Sequence, residues 1–277
     1  MKRAFLTLIC LTRDNERYVQ EHALFHSLVG FDRLIYMLHV CKDGTEAKLK
    51  ELQKKLGLDI IIHHCPNTDR KIQMGVYKAM LERYGKYTEW ALPLDDDEYV
   101  YCTNPTVDYQ DDLKHLLRGF RKNVAGVAFQ SRVFGSSSQI LSPTNRFTAY
   151  TQRLPLDEIS CSAIKTFIRP NKLVKVISPH TQEVAGSVVR FDGEPFTIVD
   201  GWRSKESAKH YPVCFNHYYT GSLEDWLARY RRGSCNDLRP NHAYSMDEFL
   251  YHTVEMEYDN TILRYQPWYQ SLVGKLK

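Results

Sequence analysis

Over the first hundred residues the apolar positions keep two alternating rhythms. Short, nearly continuous apolar runs at Phe5–Cys10, Leu34–Leu38, Asp59–Ile62 and Glu89–Leu94 have the length and composition of buried strands. Between them lie longer segments with apolar residues at helical spacing. Asp14 is placed to cap a helix running to about Leu28, and Gly30 to end it. Leu49, Leu52 and Leu56 share one face of a helix predicted over Thr45–Leu56 and stopped by Gly57, and Ile72–Tyr84 forms a third. This alternation predicts an α/β chain with a mostly parallel central sheet and helices on both faces. Ligands of such sheets bind beyond the carboxyl ends of the strands. The loops Leu11–Asn15, His39–Thr45, Pro66–Lys71 and Asp95–Glu98 are therefore expected along one edge.

Beyond residue 100 the rhythm changes. A helix over Asp111–Arg121 and a strand over Gly126–Phe134 lead into Gly135-Ser136-Ser137-Ser138, and Phe147–Ile159 is irregular. Short strands are expected near Ile164–Ile168, Leu173–Ile177 and Ser187–Phe191, then an amphipathic helix over Ser222–Arg232 and a last helix near Met246–Glu257. Without repeats or linkers, the simplest division is a principal domain over 1–233 and a helical extension over 234–277 packed on it.

A hydrophobic content of 43% and a charged content of 25% are ordinary for a globular chain, and no window is apolar enough to span a membrane. The basic start and apolar run of Met1–Cys10 read as a first buried strand, because the run is short and no small-residue cleavage site follows. Seven cysteines without C-x-x-C spacing point to free thiols in a reducing, cytoplasmic compartment. A net charge of +4 does not indicate nucleic acid. The basic stretch Arg229-Tyr230-Arg231-Arg232 reads as the solvated face of a helix, with peripheral contact to an anionic membrane as the alternative.

The chemistry concentrates at Asp95-Asp96-Asp97-Glu98, four consecutive acidic residues between the strand-like segments Trp90–Leu94 and Tyr99–Tyr101. Adjacent like charges at a strand end need an opposing positive charge. Oxygen ligands on Asp95 and Asp97 suit Mn²⁺ or Mg²⁺, which keep open positions for phosphate oxygens. That combination points to a nucleotide-sugar site, with a solvated acidic turn as the plain alternative. His217, which ends the apolar segment Val213–Phe215, is the candidate third ligand, and His180 its competitor. His22 and His26, at i and i+4 among core-facing residues, read as packed histidines, and His63 and His64 point to opposite faces of a strand.

Around that run, Thr12, Arg13, Asn15 and Glu16 follow the first strand, and Asp43 the second. They could bind a nucleoside and its phosphates, or simply cap helices and turns. Lys165 could neutralise a leaving diphosphate, or face solvent from an edge strand. The aromatics Trp202, Tyr218, Tyr219 and Trp226 could stack on an acceptor sugar, although aromatics mostly build cores.

Taken in order, several short motifs resemble the GT-A-fold glycosyltransferases of family 92, with their DUF23-like and family-2-like relatives. They are Arg13-Asp14-Asn15-Glu16-Arg17-Tyr18, Glu21-His22-Ala23-Leu24-Phe25-His26, Gly30-Phe31-Asp32, Asp43-Gly44-Thr45, Leu94-Asp95-Asp96-Asp97-Glu98-Tyr99 after Trp90, Phe134-Gly135-Ser136-Ser137, Lys165-Thr166-Phe167-Ile168-Arg169-Pro170 and Asn216-His217-Tyr218-Tyr219-Thr220-Gly221-Ser222 with Arg232-Gly233. The resemblance spans roughly residues 5–233. It implies a GT-A fold, a nucleotide-sugar donor such as a UDP-sugar, a divalent metal at the D-x-D, and transfer with inversion. Ser138 stands where a glycine is common, and the membrane anchor of eukaryotic members is missing, which points to a bacterial or viral enzyme.

The expected reaction is a single in-line displacement onto a glycan hydroxyl. Asp95, Asp97 and His217 would hold the metal, Asp96 would belong to the donor site, and Lys165 or Arg13 would assist. Asp157 and Glu158 are the candidates to deprotonate the acceptor. A metal-dependent nucleotidyltransferase is an alternative, but Leu11–Asn15 contains no phosphate-binding glycine. A non-catalytic carbohydrate-binding module would not need the acidic run.

Overall fold

The computed structural model describes residues 1–68, 72–206, 212–233 and 245–276. In chain order its principal elements are β1 (Ala4–Thr12), α1 (Val19–Leu28), β2 (Arg33–His39), α2 (Thr45–Leu56), β3 (Ile60–Cys65), α3 (Ile72–Tyr84), β4 (Thr88–Pro93), β5 (Glu98–Cys102), α4 (Asp112–Arg118), β6 (Val124–Val133), β7 (Ile164–Ile168), β8 (Val213–His217), α5 (Leu223–Arg232) and α6 (Gln266–Gly274). The strands lie in the order β3-β2-β1-β4-β7-β6-β8-β5, and Ser187–Val189 pairs with the flank of β6. The first four are mutually parallel; β7 is antiparallel to both β4 and β6, and β8 is parallel to β6 but antiparallel to β5. This is an α/β architecture with a mostly parallel central sheet, as the alternation predicts.

The period-two alternation of the strands sorts their side chains onto two faces. Leu6, Leu8 and Cys10 of β1, with Leu34, Tyr36 and Leu38 of β2, join the core formed with α1 and α2. Ile9, Leu11, Ile35 and Met37 point the other way and pack on Val76, Tyr77 and Met80 of α3. Helices thus cover both faces, as expected.

The local differences have physical causes. Asp14 does not cap α1, which starts five residues later at Val19 behind Tyr18. Asp14 instead adopts a left-handed conformation (φ 45°), and its Oδ1 accepts the Lys42 amide at 2.7 Å, so tertiary bonds displace the cap. The last helix expected, Met246–Glu257, ends at Tyr251, and Glu257–Tyr258 pairs with Gln152–Arg153 instead. The helix Gln266–Gly274 was not foreseen; its Tyr269, with Tyr265 before it, packs on Phe147 and Phe25 and ties the C-terminal segment to the main core. The histidines behave as expected: His22 bonds to Tyr36 at 2.7 Å, while His26 Nδ1 meets the His22 carbonyl and His26 Nε2 accepts the Val100 amide. His63 reaches Tyr84 of α3, whereas His64 faces Glu46 of α2 on the opposite side. The six described cysteines are free; Cys235 lies outside the described residues.

Candidate functional site

Because β1, β2 and β4 are parallel, their carboxyl ends bring Thr12, the Lys42–Thr45 loop and Asp95 to one edge. Two loops are clasped there. Glu16 accepts the Gly44 amide at 3.0 Å, Asp43 accepts the Glu16 amide at 2.8 Å, and the Asn15 amide donates to Thr45 Oγ1 at 2.9 Å. A methyl group on Gly44 would come within 2.4 Å of Glu16 Oε1, so a side chain here would push the Glu16 carboxylate off the Gly44 amide. Asp43 also takes the Thr45 amide and hydroxyl on its other oxygen. Glu16 and Asp43 therefore carry the turn-building role weighed for them, and that role positions the edge.

The acidic run turns tightly between β4 and β5, with the Glu98 amide bonded to the Asp95 carbonyl at 3.1 Å. Antiparallel pairing of Ala91 with Ile168 brings Lys165 level with Leu94, one residue before Asp95. Its ammonium lies 2.9 Å from both Asp95 Oδ2 and Glu98 Oε2, and Lys165 is fully buried. The edge-strand reading of Lys165 is thereby excluded. His217 pairs directly with Glu98 across β8 and β5, which sets His217 Nε2 3.5 Å from Asp97 Oδ1. The other Asp97 oxygen accepts Arg229 Nη2 at 3.0 Å. Asp96 accepts the Thr12 hydroxyl, and its carbonyl accepts Arg146 Nη1 at 3.1 Å. Tyr77 and Gln73 of α3 donate to Asp95 Oδ1.

Opposing effects set the protonation states. Burial disfavours every one of these carboxylates, but Lys165 holds Asp95 below its usual range, and His217 with Arg229 holds Asp97 far below it. Burial and the Asp97 charge raise Asp96. Glu98 is pushed up by burial to about 7 despite Lys165. For His217, Asp97 outweighs burial and raises the imidazole above its usual value. The acidic run is thus compensated from within the protein, chiefly by Lys165, His217 and Arg229. Protein cations supply opposing positive charge of the kind the run was expected to need. The reading of Arg229 as part of a solvated face is corrected, since that side chain is buried. Arg229 lies three residues after the buried Trp226, on the same helical face; that spacing was the available signal.

The two carboxylates are donors of the kind a hard cation takes, whereas the imidazole is a donor that transition ions accept more readily than Mg²⁺. Asp97 and His217 converge, whereas Asp95 turns to Lys165. Among the described residues, the three-ligand grouping at metal spacing is Asp14, Cys41 and Asp43, and Asp95, Asp97 and His217 do not form one. His180 bonds through Nδ1 to the Ile164 carbonyl at 3.1 Å; burial and the Lys165 charge lower it to about 4, and it makes no hydrogen bond to the acidic run.

Arg13 Nη1 donates to the Arg232 carbonyl at 3.0 Å, and Arg232 returns a bond to the Asp14 carbonyl at 2.8 Å. This reciprocal pair joins the end of α5 to the β1 loop. Next to it a pocket of about 340 Å³ is lined by Asp14, Asn15, Tyr18, Arg146, Asp225 and Arg229 among others. Arg146 lies over the Tyr18 ring at 3.9 Å and is held from behind by Glu21, which accepts the Arg146 and Phe147 amides. Nothing in the local sequence around Arg146 marks this role. Of the aromatics considered for stacking on sugar, Tyr218 and Trp226 are fully buried in the core. Asp157 is exposed, and Glu158 accepts a hydrogen bond from Tyr251 at 3.0 Å. Both sit on the segment that packs, through Leu154, Leu156 and Cys161, beside Val133 and Tyr219 near the His217 end of the edge. Neither bonds to the acidic run.

No protein-family model and no curated protein matches the chain. Among solved structures it is similar to S. aureus TarS 1-349 in complex with UDP, at 13% identity over 61% of this chain and 47% of that one, with a TM-score of 0.39. The same protein in complex with UDP-GlcNAc matches at 14% identity over 61% and 46%, TM-score 0.36, and a mycobacterial protein at 16% over 48% and 43%, TM-score 0.32. The chain spans less than half the length of these structures. No described helix is long and apolar enough to cross a membrane.

Proposed function

We propose that the chain is an inverting glycosyltransferase that moves a sugar from a nucleotide-sugar, with UDP the expected nucleotide, to a hydroxyl of a glycan or glycoconjugate. One observation carries this reading: the acidic run sits at the carboxyl edge of the parallel strands, bonded to Thr12 and flanked by Lys165, Arg146 and Arg229. Carboxylates and cations are interleaved where an α/β sheet binds its ligand. An isolated acidic turn, or a sugar-binding module, has no need of buried cations there. The nucleotide would lie between Thr12, Arg13, Asn15, Glu16 and Asp43, with its diphosphate toward Asp96, Lys165 and the arginines.

In the reaction the acceptor oxygen bonds to the anomeric carbon as the carbon–oxygen bond to the diphosphate breaks. The acceptor proton passes to a carboxylate, for which the exposed Asp157 and the half-buried Glu158 are the candidates. Lys165, Arg146 and Arg229, all buried, would oppose the charge growing on the departing diphosphate. Asp95, Asp97 and His217 would hold Mn²⁺ or Mg²⁺, which supplies further positive charge for the same purpose when bound.

The test is hydrolysis of a panel of UDP- and GDP-sugars, with and without Mn²⁺. Turnover of one donor that is lost in Asp97→Ala supports the transferase. Pyrophosphate release from a nucleoside triphosphate, or sugar binding unaltered by Asp97→Ala without turnover, replaces it with the nucleotidyltransferase or the binding module.

A further inference from the structure

We propose that Lys165 is the resident counter-cation of the acidic run, and that a divalent ion reaches Asp95 only by displacing its ammonium group. The proposal rests on the reading of Asp95 and Asp97 as a cation seat.

Both oxygens of Asp95 are already engaged. Oδ1 accepts Tyr77 at 2.9 Å and also Gln73, while Oδ2 holds Lys165 Nζ at 2.9 Å. The first two partners are neutral and can remain beside a cation. Lys165 cannot, because a dication on the same carboxylate oxygen would sit beside the unit positive charge of a fully buried ammonium group. Arg229 is a less mobile charge. Its guanidinium bridges Asp97 Oδ2 and the Tyr219 carbonyl, a planar two-point grip, whereas a lysine head is a point charge on a flexible stem.

Lys165 also has a place to go. Its Nζ already touches Glu98 Oε2 at 2.9 Å and lies 3.5 Å from the Pro179 carbonyl. The second Glu98 oxygen, Oε1, is buried without a hydrogen-bond partner. A short swing away from Asp95 would give the ammonium that acceptor and leave it paired. Lys165 thus opposes the charge of Asp95 and makes ion entry a competition.

The experiment is titration of the full chain with Mn²⁺ in the absence of nucleotide, following the electron paramagnetic resonance signal of the free ion. Lys165→Gln is expected to bind Mn²⁺ at least about tenfold more tightly than the native chain, because the competing charge is gone. Lys165→Arg, which keeps the charge, is expected to bind no more tightly than the native chain. Adding Asp95→Asn to Lys165→Gln should abolish the gain and so locate the ion. The proposal is overturned if Lys165→Gln binds no better than the native chain, if Lys165→Arg gains as much, or if the gain survives Asp95→Asn. Should Lys165→Gln fail to fold by thermal melting, tighter binding in Lys165→Arg alone overturns it. If no protein in the series binds Mn²⁺, the proposal and the cation seat fall together. Calorimetric titration of UDP in chelator then decides separately whether the nucleotide reading stands.

Discussion

Arg229 Nη2 lies 3.0 Å from Asp97 Oδ2, and both side chains are close to nine-tenths buried. The pair joins α5 to the turn between β4 and β5, elements far apart in the chain. Removing one partner of a buried ion pair leaves the other desolvated and uncompensated, and His217 at 3.5 Å only partly replaces the lost charge. Arg229→Met is therefore expected to lower stability by about 3 kcal/mol, measured by urea unfolding. Combining it with Asp97→Asn should recover part of that loss. A strictly additive double mutant would show that the two residues do not act as a pair.

Glu98 makes the stability depend on pH with a definite sign. Burial raises its carboxyl from 4.5 to about 7, so the folded state binds its proton more tightly than the unfolded state does. Its contribution to stability is complete below the unfolded value and declines as pH rises through the window between 4.5 and about 7. Urea unfolding across that window should show a falling component that Glu98→Gln flattens. An unchanged slope in Glu98→Gln would assign the dependence to other groups, of which Glu21, also raised by burial to about 7, is the first to test.

Gly44 closes the clasp between the Asn15–Glu16 and Asp43–Thr45 loops. In Gly44→Ala the new methyl would meet Glu16 Oε1 at 2.4 Å, so the Glu16 bond to the Gly44 amide must yield. The expected cost is about 1–3 kcal/mol of stability, together with weaker UDP binding by calorimetry. Native affinity in Gly44→Ala would place the nucleotide away from this clasp.

The two base candidates separate by single substitution. Whichever of Asp157→Asn and Glu158→Gln removes the base should lower kcat by roughly 100-fold or more while leaving UDP affinity unchanged. Equal loss in both, accompanied by a lower melting temperature, would indicate damage to the loop; native kcat in both would move the base elsewhere.

Membership of the two cores was written in the chain. The alternation of Leu6, Leu8 and Cys10 against Ile9 and Leu11 is a local, period-two property, and it sorted these residues onto the faces they occupy. The acidic run was equally visible, as was its place at the end of a strand, and the packed state of His22 and His26 followed from their helical neighbours. What the run was paired with could not be read in this way. Lys165, His217, Arg146 and Arg229 approach it from a crossing strand, a neighbouring strand, a buried loop and a late helix.

By itself, then, the sequence determined the α/β alternation, the two-faced core and the site of concentrated negative charge, because each depends on residues near one another in the chain. Only the tertiary structure decided that β7 and β8 enter the sheet beside β4 and β5, and hence which cations neutralise that charge. The physical reason is that strand order and register are settled by packing between distant segments, and a one-residue slip would turn Lys165 to the opposite face.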